Sequence, residues 1–304
     1  MHLVTPDTKK PLLQKDNKTL LCQETGVEYH RVNGVWHMLA ADRRPMFDQF
    51  ICEYETVRRA EGRQSADPDF YRQLPFVAAD HPDHQMWQQR AASFLVFMKQ
   101  ILSPLESGSP TPLTILDIGA GNGWLSNQLG KRGHNMTAVD LTINDFDGLG
   151  VCQLYNTPIT SIQADFDQLP LENNRFDLVI FNASFHYSTD TSNSLCESLR
   201  VLKNTGNLII IDTPIYQNGA TGRQMVAERE AAFKQQYGFP SNSLKSVNFL
   251  TYQQINRFTP PVQLIHTITP FRQKIRRLKT KVRGQREAAQ FPILRISKQR
   301  GKRC

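Results

Sequence analysis

The chain lacks cysteine pairing. Its five cysteines, Cys22, Cys52, Cys152, Cys196 and Cys304, are odd in number and scattered. That excludes a disulfide framework and fits a reducing compartment, so a cytoplasmic setting is expected. No run approaches the roughly 18 apolar residues that a membrane-spanning helix needs. Lys9, Lys10 and Asp16 crowd a start that has none of the regions of a secretory signal. There is no internal repeat. Acidic residues are nearly missing from the end: between Phe271 and Cys304, thirteen Lys or Arg accompany the single acid Glu287. The other 270 residues carry 23 basic and 27 acidic side chains, so the whole excess of +8 sits in the tail. Such a segment can attract the phosphates of nucleic acid or anionic lipid, or simply keep a terminus solvated.

What is there separates into four stretches. Residues 1–40 hold short apolar pieces between turn residues, and Asn33-Gly34 is a tight-hairpin signal, which predicts a small β-rich module. Residues 41–112 form a helical cap and linker: Phe47, Phe50, Ile51, Tyr54 and Val57 recur at three- and four-residue steps. Residues 113–270 alternate strands and helices. Strands are expected at Leu113–Asp117, Met136–Asp140, Ile159–Asp165, Phe176–Asn182 and Asn207–Asp212, with a helical insertion over 217–258. That alternation predicts an α/β, doubly wound parallel sheet. Residues 271–304 are the basic segment and include a final strand near Phe291–Ile296.

The chemistry concentrates in Leu116-Asp117-Ile118-Gly119-Ala120-Gly121-Asn122-Gly123, three glycines between a strand and a helix. Glycines there let backbone approach a ligand where a β-carbon would clash. A dinucleotide loop needs its third glycine at position 124, which is Trp. Asp140 ends the next strand, 23 residues after Asp117, where a carboxylate can accept from both ribose hydroxyls. Asp165 ends the third strand beside Phe166, a pairing suited to the amine and face of an adenine. Asn182 ends the fourth. All lie at the carboxyl ends of parallel strands, where open α/β sheets bind ligands.

The run LDIGAGNGWLS…VDL…ADFDQLPL…FDLVIFNASFHY…LRVLKNTGNLIIID resembles the class I S-adenosylmethionine-dependent methyltransferase superfamily, in its quinone-biosynthesis and small-molecule group. The resemblance covers roughly residues 113–214. It implies a Rossmann-like, seven-stranded sheet with S-adenosylmethionine as cofactor. Asp117, Gly119, Ala120 and Gly121 would border its methionine part, and Gly123 would also belong to the cofactor site. Asp140 with Leu141 would hold the ribose, Asp165 and Phe166 the adenine, and Asn182 and Ala183 would line the methyl-transfer face.

Methyl transfer from a sulfonium needs alignment of acceptor, methyl and sulfur, and in some cases a base. His186 is the candidate base, since imidazole titrates near neutrality; capping or packing beside Tyr187 is its structural alternative. Phe70, Tyr71, Trp87 and Arg90 are candidate acceptor-lining residues, against ordinary core for the aromatics. The fourth strand ends Asn-Ala-Ser-Phe, unlike the Asn-Pro-Pro-Tyr of amino-directed DNA and protein methyltransferases. The expected partner is a small-molecule or lipid-like acceptor. RNA gripped through residues 271–304 is the second reading, and a non-catalytic cofactor-binding regulator the third. No oligomeric state follows.

The segment TPDTKKPLLQKDNKTLLCQETGVEYHRVNGV is similar to the zinc ribbons that precede some ribosomal-RNA guanine methyltransferases. Thr5, Thr8 and Thr25 stand where three of four cysteines are expected, leaving Cys22 alone. A tetrahedral zinc needs four thiolate or imidazole ligands, so a metal-free relic is expected.

Overall fold

A computed structural model describes residues 3–239, 243–267 and 286–298. Most of the basic segment, 271–285 and 299–304, lies outside the described residues, and with it most of the surface expected to grip nucleic acid.

The N-terminal stretch is a meander of four short strands, β1 (Leu13–Gln14), β2 (Thr19–Leu21), β3 (Glu28–Val32) and β4 (Val35–His37). Asn33 and Gly34 both take positive φ, 48° and 79°, the pair of left-handed residues that a two-residue hairpin matching strand twist requires. Three helices follow: α1 (Arg44–Ala60), α2 (Pro68–Gln73) and α3 (His84–Phe97). The last continues through a π turn into α4 (Ser103–Ser107).

The α/β core alternates β5 (Thr114–Ile118), α5 (Trp124–Gly130), β6 (Asn135–Asp140), β7 (Ile159–Gln163), β8 (Phe176–Asn182), α6 (Thr191–Val201) and β9 (Leu202–Ile211). Next come β10 (Ile215–Tyr216), α7 (Gly219–Tyr237), β11 (Leu250–Thr251) and α8 (Tyr252–Ile255). The described chain closes with β12 (Val262–Ile265) and β13 (Ile293–Ser297). Adjacent strands in the stretch β4-β7-β6-β5-β8-β9 pair in parallel, and β13 enters antiparallel between β9 and β12.

Three expectations change. The sheet has eleven strands in the order β1-β2-β3-β4-β7-β6-β5-β8-β9-β13-β12, not seven beside a separate module. The reason is the free edge of β7: Val35, Trp36 and His37 pair in parallel with Ser161, Ile162 and Gln163, satisfying a row of backbone groups that would otherwise be bare. Residues 217–258, expected to be helical, are interrupted where β11 pairs with β10. The fifth strand also begins earlier than expected, at Leu202, running through Asn204–Gly206 with an irregular register against β8.

Both faces of the sheet are buried, which explains the continuous apolar runs. Leu116, Ile118, Val139, Val179, Phe181, Leu208 and Ile210 pack on one face with residues of α6 and α8. Ile115, Ala138, Leu178, Ile180, Ile209 and Ile211 pack on the other with α3 and α5. No described helix is long and apolar enough to cross a membrane.

Candidate active site

Asp117 lies next to the end of β5, before the loop 119–123, Asp140 and Asn182 end β6 and β8, and Asp165, expected to end the third strand, lies two residues beyond β7, which stops at Gln163. Asp117 is 1% exposed. Its Oδ2 accepts from Ser126 Oγ at 2.9 Å, while the buried Oδ1 has no partner. Burial raises its pKa to about 7 despite the Ser126 hydrogen bond, and the charge of Asp140 adds to the rise. An unpaired buried carboxylate oxygen is costly, and a cationic ligand group removes the cost.

Gly119, Gly121 and Gly123 all have positive φ, 67°, 54° and 72°, but they serve different ends. A β-carbon on Gly119 would fall 2.3 Å from Ser184 Cβ, and one on Gly123 would fall 2.5 Å from Cys152 Sγ. Those two glycines make room for the protein's own packing. At Gly121 nothing lies closer than Asp147 O at 3.6 Å, so its cradle is open to a ligand. The loop is tied down by Gly119 N and Ala120 N, which donate to Val139 O at 2.8 and 3.1 Å.

Asp140 holds the loop from the next strand. Its Oδ2 accepts from Gly121 N at 2.8 Å, and Oδ1 accepts from Thr142 N and Thr142 Oγ1 at 2.8 and 2.7 Å. Burial raises its pKa, and these bonds pull the other way. Leu141 turns away from this network to pack against the Leu39, Phe47 and Leu244 cluster. Asp165 accepts from Asp167 N at 2.9 Å on Oδ1, and from Arg43 Nε at 2.8 Å on Oδ2; the Arg43 Nη2 contact is closer still. Phe166, half-buried, meets Phe181 edge-to-face at 5.7 Å. Ala183 has φ 54° and donates its N–H to Ile211 O at 2.9 Å, fixing the turn between β8 and the residues that follow.

His186, the candidate base, does not titrate near neutrality as its residue type suggested. Desolvation first, then the charges of Arg229 and Arg90, push its pKa down to about 3. Its ring stays neutral at physiological pH, and its buried Nδ1 has no partner. Phe70, Tyr71 and Trp87 are core, not pocket. Tyr71 Oη donates to Phe146 O at 2.7 Å, Trp87 packs edge-on to Trp124 at 6.0 Å, and Phe70 stacks on His81 at 5.1 Å. Arg90 lies over Trp87 at 5.2 Å while its charge reaches Asp212 and His186.

The cleft beside the β8 turn, about 200 Å³, is lined instead by α1 and α7. Phe50, Tyr54 and Tyr187 form its aromatic wall, with ring centroids 5.6 to 6.3 Å apart, and Arg58, Arg229 and Phe233 complete it. Sequence reasoning missed Arg43, Arg58 and Asp147. Arg58 Nε donates to Asp147 Oδ2 at 2.5 Å, and Asp147 Oδ1 accepts from Asn122 Nδ2 at 3.2 Å, so α1 is latched to the glycine loop. These pairs span 89 and 122 residues, and no local pattern announces them. Among the described residues no group of His, Cys, Asp and Glu could hold a metal.

Residues 116–210 match a family described as "Methyltransferase domain". Curated relatives include a malonyl-[acyl-carrier protein] O-methyltransferase of Buchnera aphidicola, 32% identical over 33% of this chain and 39% of its own length. A ubiquinone/menaquinone biosynthesis C-methyltransferase of Idiomarina loihiensis is 32% identical over 35% of this chain and 45% of its own. The chain thus spans less than half the length of these two relatives. Among solved structures, a plantazolicin methyltransferase, in complex with a desmethyl analog and SAH, superposes with a TM-score of 0.50 at 16% identity, over 85% of this chain and 98% of its own; it speaks to the fold alone. Residues 116–210 are thus similar to a methyltransferase domain, and the α/β sheet with its glycine loop after β5 agrees with that similarity.

Proposed function

We propose that the protein is an S-adenosylmethionine-dependent methyltransferase acting on a small-molecule or lipid-like acceptor. The observation that carries this reading is the open cradle at Gly121 beside the unpaired Asp117 Oδ1. The residues present fit the cofactor: Asp117 Oδ1 offers an acceptor for its ammonium, Gly121 leaves it room, and Asp140, with Leu141 beside it, stands at the ribose position. Asp165 and Phe166 stand at the adenine position, and Asn182 and Ala183 at the methyl-transfer face. When bound, S-adenosylmethionine supplies an electrophilic methyl group. The chain's part is alignment and exclusion of water, which can supply most of the rate without a dedicated base. In this reading α1 closes the site through Arg58–Asp147 and Arg43–Asp165. His186 acts as a neutral hydrogen-bonding group that orients the acceptor, and the Phe50, Tyr54 and Tyr187 wall receives the acceptor's apolar part.

The apolar lining of the cleft favours a small or lipid-like acceptor over RNA, which is read chiefly by phosphate contacts and base stacking on open surfaces. The N-terminal meander, in this reading, is a metal-free relic of a zinc ribbon: the Thr5 and Thr8 hydroxyls hydrogen-bond to each other at 2.8 Å where two thiolates would stand. Calorimetric titration with S-adenosylmethionine tests the central claim, followed by transfer of labelled methyl groups to a cell extract fractionated into RNA, lipid and small molecules. Binding with label in the lipid or small-molecule fraction is expected. No heat of binding refutes the reading, and label in RNA moves the acceptor class.

A further inference from the structure

The cleft between α1 and α7 holds four charged lining residues, and two of them, Arg58 and Glu61, are ion-paired with neighbours. Arg58 is paired with Asp147 and with Glu61. Glu61 is shared with Arg63. Glu53 takes a hydrogen bond from Gln49 on Oε1, and its buried Oε2 has no partner. Arg229 differs: among the described residues no carboxylate pairs with it, and its buried Nε has no partner. It is nevertheless held in place. Its Nη2 donates to Asn248 Oδ1 at 2.5 Å. Asn248, with φ 63°, donates Nδ2 to Ser246 O at 2.8 Å and its backbone N–H to His186 O at 2.8 Å. A left-handed asparagine strung between two carbonyls, one of them that of His186, therefore fixes the guanidinium at the cleft. An arginine positioned and left without its counter-ion is a site awaiting an anion.

Resting on the methyltransferase reading, we propose that the acceptor carries a carboxylate held by Arg229, with a flat apolar body against Phe50, Tyr54 and Tyr187. A carboxylate fits better than a phosphate for two reasons. The planar fork of one guanidinium matches two coplanar oxygens. The remaining walls carry Glu53 and Glu61, which would repel a dianion. Neutral His186 beside the same guanidinium adds no competing charge.

The test uses the full chain with saturating S-adenosylhomocysteine and three probes: 3-phenylpropionate, its neutral isostere 3-phenylpropionamide, and phenyl phosphate. Calorimetry is expected to give about tenfold or better preference for the acid over the amide, as a charge-assisted pair warrants. Arg229→Gln should abolish that preference while S-adenosylhomocysteine affinity stays at the wild-type value, which also reports that the variant is folded. Asn248→Ala should weaken the acid more than the amide, since it frees the guanidinium. Equal binding of acid and amide, no binding of the acid up to about 10 mM, an Arg229→Gln variant that keeps the preference, or tighter binding of phenyl phosphate would each overturn the proposal. Failure of the cofactor product to bind, with the acid preference intact, would instead count against the methyltransferase reading.

Discussion

Gly119→Ala and Gly121→Ala separate the two jobs of the glycine loop. At position 119 the new β-carbon would lie 2.3 Å from Ser184 Cβ and 2.8 Å from its Oγ. Ser184 cannot step aside cheaply, because its Oγ donates to Ile118 O at 2.5 Å and the residue is buried. Left-handed backbone costs a non-glycine residue about 1–2 kcal/mol, and relieving an overlap in packed surroundings costs about 1–3 more, so Gly119→Ala should lose about 2–5 kcal/mol. At position 121 the nearest atom is 3.6 Å away, so only the backbone part remains, about 1–2 kcal/mol. Urea unfolding of both variants, read as a change in midpoint at constant slope, measures the difference. Binding should rank them the other way. The Gly121 cradle is the one open to ligand, so Gly121→Ala should weaken S-adenosylhomocysteine by about tenfold or more. Equal stabilities for the two variants, or wild-type affinity in Gly121→Ala, would refute this division of roles.

Asp117 should make the ligand-free protein less stable as pH rises. Its folded pKa of about 7 stands above the unfolded value near 3.9, so the folded state holds the proton more tightly and stability falls between about pH 4 and 7, by about 4 kcal/mol at most. His186 acts oppositely: its folded pKa of about 3 lies below the unfolded value, so its contribution is full above about pH 6.5 and is lost as pH falls toward 3. Relative to the wild type, urea midpoints across this range should therefore trend upward with pH in Asp117→Asn and downward with pH in His186→Gln; parallel profiles for all three would contradict the assignments. Cofactor binding near pH 6 should release up to about one proton, seen as a dependence of calorimetric heat on buffer, and Asp117→Asn should abolish it. Purified protein should contain no stoichiometric zinc by elemental analysis, whereas the triple variant Thr5→Cys, Thr8→Cys, Thr25→Cys should take up about one equivalent; zinc in the wild type or none in the variant counts against the relic.

What could be read from the sequence was what local physics fixes. The strand Phe176–Asn182 sits where its apolar run placed it, because a strand buried on both faces needs nothing beyond its own composition. Asn33-Gly34 specified its turn for the same reason, and the carboxylates at 117 and 140 were visible as strand ends. Early aromatic candidates failed because periodicity marks a buried face without saying what it is buried against. Trp87 and Tyr71 met Trp124 and Phe146 O, while Phe50 and Tyr54, assigned only to a helical face, became the cleft wall. The lowered pKa of His186 was not legible because a pKa belongs to surroundings: burial lowers it first, and Arg229 and Arg90 come from helices 43 and 96 residues away in the chain.

The placement of α1 has a topological cause. Because β4 joins β7 in parallel, the chain leaves β4 at the carboxyl ends of the core strands, the end that carries Asp117, Asp140 and Asp165. Only six residues separate His37 from the start of α1, so the helix must begin there. Antiparallel addition at the same edge would have released it at the opposite end, and neither Arg43 nor Arg58 could have reached Asp165 or Asp147. The meander is further pinned by Lys9, whose ammonium donates to Glu197 Oε2 at 3.0 Å and Leu169 O at 3.1 Å on the core. Its effect at the site is thus exerted through position: forty residues that touch no expected ligand determine where the arginines and aromatics of α1 are delivered.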